Sequence, residues 1–131
     1  MIQTIASFPI YVTPNLADQK KFYEQTFGLA SVFYEESFYL HMVNPATGNQ
    51  LAFMCPEHPS QPEILHQSVN AAGHVISFEV EDAQSAWRLA QKMELKVELG
   101  LTEESWGQRH FLIRDPADFV VDIVEHLSSS S

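Results

Sequence analysis

A single cysteine, Cys55, is all the thiol this chain has, so no internal disulfide can staple it. That usage fits a reducing, cytoplasmic setting. Basic residues are scarce as well: 7 Lys and Arg stand against 17 Asp and Glu, a formal net charge of −10. Phosphate binding needs a basic footprint, so nucleic acid is not an expected partner. No run approaches eighteen consecutive apolar residues, and no transmembrane helix is expected. The opening MIQTIASFPIYV has neither a basic start nor a small-residue cleavage site, so neither a secretory signal nor a membrane partner is expected. There is no G-x-S-x-G elbow, P-loop or dinucleotide fingerprint. His41, His58, His66, His110 and His126 show no HxH or HExxH spacing, and each reads as unrelated to the others. Cys55, at a strand end, reads as a small buried hydrophobe rather than a nucleophile.

What is present suits one domain: 131 residues, 45% of them hydrophobic, enough to bury a core. Ile5 to Val12 alternates with a period near two and reads as a strand. Pro9 inside it marks an edge or an exchange point, because proline cannot donate to a ladder. Asn15 caps a helix whose first turn holds Asp18, whose face carries Leu16, Tyr23 and Phe27, and whose stop is Gly28. Three strands follow, at Ala30 to Glu35, Phe38 to Val43 and Gln50 to Cys55, the last two joined by the turn-forming NPATGN. A proline-rich stretch beginning at Pro56 reads as a linker with at most a short helical turn.

The order then repeats. A strand at His74 to Val80 leads to a helix capped by Asp82, with Ala86, Leu89, Ala90 and Met93 on one face. Strands at Leu95 to Leu101, Arg109 to Arg114 and Phe119 to Val124 follow. The halves also align in residues: LADQKKFYEQTFGL lies over DAQSAWRLAQKMEL, and NPATGNQLAFM over DPADFVVDIV with one position skipped. The reading is an α+β fold of two βαβββ modules in a single domain: module one at 1–55, a linker at 56–72, module two at 73–126 and a disordered tail at 127–131.

These segments resemble the vicinal oxygen chelate (glyoxalase/bleomycin resistance protein/dioxygenase) superfamily. The opening resemblance lies in NLADQKKFYEQTFGL. The more specific one is WGQRHFLIRDP, Trp106 to Pro116, which is similar to that family's W-G-x-R-x-F…D-P-x-G strand and turn. Asp118 stands where the family usually has glycine, and aspartate tolerates the left-handed conformation such a turn needs. In metal-dependent members the resemblance implies four ligands, from the first and fourth strands of each module. Those positions fall on or near Ser7, Ala52, Val75 and Asp122. Only Asp122 is a strong ligand, and one carboxylate falls short of the three or so protein ligands a catalytic ion needs. His74 follows a glycine as a family ligand often does, but its spacing puts it on the other face of a regular strand.

The resemblance is therefore nearest to the non-metal, bleomycin-resistance-like branch, with no cofactor expected. Pro9 matches that branch's first-strand proline, associated there with exchange of the N-terminal strand, and SWG resembles its P-W-G segment. This implies a small-molecule-binding protein, a homodimer that sequesters a bulky cationic drug or metabolite in a cup, with a role in antibiotic resistance. Tyr11, Phe33, Tyr39 and Trp106 are the expected lining, and Asp122 the expected partner of a cation. Strand parity predicts Ser7, Tyr11 and Asp122 toward the concavity, and Ile10, Val12, Ile76 and Phe78 under the helices. The alternative is a metal-dependent lyase, isomerase or dioxygenase that uses a divalent metal, with His74 and Asp122 among its ligands. A third class keeps the fold as a protein-binding module.

Overall fold

The structure, a computed structural model, describes residues 1–128. Of the expected tail, Ser129 to Ser131 lie outside the described residues. The chain divides into two compact units, one through Asn70 and one from Ala71. Each is a four-stranded mixed sheet with a helix on one face, an α+β architecture.

Module one runs β1 (Ile10–Val12), α1 (Leu16–Phe27), β2 (Ala30–Glu35), β3 (Tyr39–Val43) and β4 (Gln50–Met54). Its sheet order is β1-β4-β3-β2, with β1 parallel to β4 and the other pairs antiparallel. The α1 helix starts where Asn15 Oδ1 accepts the Asp18 N–H at 3.3 Å. It stops at Gly28, whose φ of 68° is left-handed. Leu16 and Tyr23 are its buried apolar residues, and the Tyr23 ring lies 5.4 Å from Phe53 of β4. A 3-10 turn at Glu63–Leu65 interrupts the proline-rich stretch, and Val69 N–H donates to Val12 O, so that stretch is tied back to β1.

Module two repeats the plan with β5 (Ile76–Glu79), α2 (Ala83–Lys92), β6 (Lys96–Glu104), β7 (Gln108–Arg114) and β8 (Val120–His126), in the order β5-β8-β7-β6. Asp82 caps α2 by accepting from the N–H groups of Gln84 and Ser85. The helix rests on the sheet through Ala83, Ala90 and the Trp87 ring, which meets Phe111 edge-on at 5.1 Å. Leu89 and Met93, expected on that face, are instead exposed; Trp87 supplies the apolar bulk in their place. The β7–β8 turn is set by Asp115, whose Oδ1 accepts from Ala117 and Phe119, with Asp118 at φ 64°.

Two further expectations are corrected. The first strand begins at Ile10 rather than Ile5, so Ser7 and Pro9 precede it in an exposed, non-strand segment. The faces of β1 are also reversed. Tyr11 pairs with Phe53, which faces α1, so Tyr11 lies on the helix side, its ring 6.2 Å from Phe53. Ile10 and Val12, paired with Ala52 and Met54, lie on the opposite face. In β5 the expected sides hold: Ile76 and Phe78 pair with Val121 and Ile123 on the buried face.

Candidate functional site

Each sheet has one face covered by its helix and one that is not. In module two, alternation along paired strands sends Phe111, Ile113, Val121 and Ile123 to the helix side and Ser77, His110, Leu112 and Asp122 to the open side. Register then brings the polar residues together. Ser77 lies directly across from Asp122, and the Ser77 hydroxyl donates to Asp122 Oδ2 at 2.9 Å. His110, diagonal to Asp122, places Nδ1 2.8 Å from its Oδ1. On the far side of the imidazole, Nε2 stands 3.4 Å from Glu104 Oε2. Burial lowers the His110 pKa, but the hydrogen bonds and charges of Asp122 and Glu104 outweigh it and raise the pKa above its ordinary value.

A second chain runs beside the first. Trp106, two-thirds exposed at the tip of the β6–β7 hairpin, donates its indole N–H to Gln108 Oε1 at 2.9 Å. The Gln108 amide reaches His126 Nδ1 at 3.3 Å, and His126 Nε2 lies 2.8 Å from Glu79 Oε1. Gly107, at φ 92°, makes the tight turn, its N–H on Glu104 O. The open face thus carries the carboxylates of Glu79, Glu98, Glu104 and Asp122. Against them stand Arg114, bound to Glu98 at 3.0 Å, its cross-strand partner Lys96, bound to Asp118, and the two histidines.

In module one the open side holds a different row. Tyr39 Oη is 2.8 Å from His41 Nδ1, and His41 Nε2 is 2.6 Å from Gln50 Oε1. Phe33 pairs with His41 across the strands, beyond a bulge after Ser31, and its ring lies 6.0 Å from Tyr39. Phe8 meets the His41 ring edge-on at 4.4 Å.

Of the residues expected from the sequence, Trp106 and Asp122 share the open side of module two, and Phe33 and Tyr39 that of module one. Tyr11 lies on the helix side, and Ser7 in the segment before β1. His74, half-buried just before β5, sits against the buried Phe119 ring, centroids 5.0 Å apart. His41, Gln50, Ser77, Gln108, His110 and His126 were not singled out, although alternation from Asp122 through the Asp115-Pro116 turn reaches His110 directly.

The donor set does not fit a divalent metal. Ile10 pairs with Ala52, the first- and fourth-strand counterpart in module one of Ser77 and Asp122, and offers no donor. Both Asp122 oxygens are engaged by Ser77 and His110, and the imidazole stands between the carboxylates of Asp122 and Glu104. Among the described residues, no group of three or more His, Cys, Asp or Glu side chains is arranged to hold a metal. Among them, too, no helix is long and apolar enough to cross a membrane.

A family model, Glyoxalase/Bleomycin resistance protein/Dioxygenase superfamily, matches residues 3–123. Solved structures with the same fold include a lactoylglutathione lyase from Agrobacterium tumefaciens, 19% identical, with a TM-score of 0.74 over 94% of this chain and 94% of that one. A superfamily member from Sphaerobacter thermophilus is 20% identical, with a TM-score of 0.73 over 96% of this chain and 100% of its own. TioX from Micromonospora is 14% identical, with a TM-score of 0.70 over 95% of this chain and 100% of its own. No curated protein matches the chain.

Proposed function

Because the chain belongs to the Glyoxalase/Bleomycin resistance protein/Dioxygenase superfamily, we propose that it is a small-molecule-binding protein whose guest presents a cationic group to the open face of module two. One observation carries this reading: Asp122 is held by Ser77 and His110 on a face where carboxylates outnumber fixed positive charge. A buried or half-buried carboxylate with pre-set hydrogen bonds loses little freedom when a cation arrives, which favours binding. Trp106, its indole fixed by Gln108, offers an aromatic face beside those charges. The chain would act by sequestration in the cytoplasm as a homodimer, since the superfamily resemblance that first suggested a cup also implies paired modules. That the chain sequesters an antibiotic is the narrower form of the same reading.

Phenyltrimethylammonium is a suitable probe, a quaternary cation joined to one ring. Saturable binding by calorimetry, weakened about tenfold or more in Asp122→Asn, supports the reading. Absence of binding, or binding indifferent to Asp122→Asn and Trp106→Phe, rejects it. Light scattering at micromolar concentration tests the dimer separately.

A further inference from the structure

The row Tyr39–His41–Gln50 is fixed in direction by its own chemistry. With Gln50 Oε1 accepting at the Nε2 end, the neutral form of the imidazole carries its one proton on that nitrogen and leaves Nδ1 to accept. Tyr39 is then the donor at Nδ1, and its single hydroxyl hydrogen is spent there. Burial raises the Tyr39 pKa, so the hydroxyl keeps that proton. Two capacities remain: lone pairs on Tyr39 Oη, which accept, and the Gln50 amide N–H₂, which donates. They lie at opposite ends of one imidazole. The surround is apolar and aromatic, with Phe8 edge-on to His41, Phe33 across from it, and Ile10 and Ala52 on the neighbouring strands. Phe33 is half exposed, with its ring 6.0 Å from that of Tyr39.

We propose that the open face of module one is a subsite for an uncharged planar ring with a hydrogen-bond donor at one end and an acceptor at the other, a phenol bearing a carbonyl group across the ring being the simplest case. The ring stacks on Phe33 and Phe8, the phenol donates to Tyr39 Oη, and the carbonyl accepts from Gln50. His41 touches neither end; it is a positioning residue that locks both polar atoms. An anionic ring fits less well, because the Glu35 carboxylate lies across from Tyr39 on the same face. The inference rests on the reading of the chain as a small-molecule binder, but not on a cationic guest or on Asp122.

The test is p-hydroxybenzamide against its two halves, benzamide and p-cresol, followed by amide chemical shifts of the full chain. The inference expects shifts at Phe33, Tyr39, His41 and Gln50, and p-hydroxybenzamide bound about tenfold more tightly than either half. Tyr39→Phe should abolish the advantage over benzamide, Gln50→Leu the advantage over p-cresol, and His41→Phe both. Backbone shifts elsewhere report whether each variant is folded, and a merely structural His41 would not alter the selectivity between probes. Shifts confined to other residues, or an advantage that survives Tyr39→Phe and Gln50→Leu, overturn the subsite. If phenyltrimethylammonium binds through Asp122 and p-hydroxybenzamide does not, this inference alone falls. If neither binds, the proposed function falls with it.

Discussion

His110 and Asp122 sit on neighbouring strands of module two with Nδ1 and Oδ1 2.8 Å apart, and the same imidazole meets Glu104 at its other nitrogen. The positive form of His110 is therefore favoured by two carboxylates against the opposing effect of burial, and its pKa is raised above the ordinary 6.5. A group whose folded pKa exceeds its unfolded one contributes stability that is complete below the unfolded value and is lost as pH rises through the folded value. Urea midpoints measured from about pH 6 to about pH 9 should fall with rising pH, and His110→Gln should flatten that slope. An unchanged slope in the variant would assign the dependence to other groups.

The protein is expected to purify without stoichiometric zinc, nickel, iron or manganese when no chelator is used. The reason is the donor set: Ile10 and Ala52 occupy the module-one positions matching Ser77 and Asp122, and Asp122 already serves two hydrogen bonds. About one ion per chain by elemental analysis, lost in Asp122→Ala, would refute this.

Two turns need a left-handed residue and fill it differently. Gly28 ends α1 at φ 68°, and Asp118 takes φ 64° in the β7–β8 turn. Open space surrounds the Gly28 Cα, so Gly28→Ala meets no neighbour and costs only backbone strain, about 1 kcal/mol. Asp118→Gly should leave the melting temperature nearly unchanged, because relief of strain offsets the loss of an exposed pair with Lys96. Asp118→Val should lower it clearly, since a β-branched residue resists positive φ. Thermal unfolding of the three variants checks the ranking.

The fold was legible because its punctuation is local. Asn15, Gly28, Asp82 and the Asp115-Pro116 turn act within a few residues of themselves, and the duplicated order of elements followed from them. The faces of β1 were not legible. Three residues are too few to show a period, and the prolines at Pro9 and Pro14 bound a strand much shorter than its apolar stretch suggested. Tyr11 was thereby sent to the wrong side. The histidines were missed for a different reason. His110 and His41 gain their meaning from partners twelve and nine residues away, across hairpins whose register no motif spacing records. Asp122, anchored by a recognisable turn, lies on the open face of module two, as Phe33 and Tyr39 lie on that of module one.

Trp106 should report on the guest of module two. A tryptophan placed for packing would be buried mid-strand; this one stands two-thirds exposed at a hairpin tip, with its N–H committed to Gln108 and its ring faces free to stack. The other tryptophan, Trp87, packs against Phe111 beneath the sheet and should not respond to binding. Titration with phenyltrimethylammonium should therefore change fluorescence in the parent protein and leave it unchanged in Trp106→Phe. The same substitution should weaken binding by up to about tenfold, within the range of roughly 0.5–2 kcal/mol for a cation–π contact. Because the site is exposed, unfolding by urea should be little altered, which separates a lost contact from a lost fold. A fluorescence response that persists in Trp106→Phe would place the guest nearer Trp87 and remove Trp106 from the site.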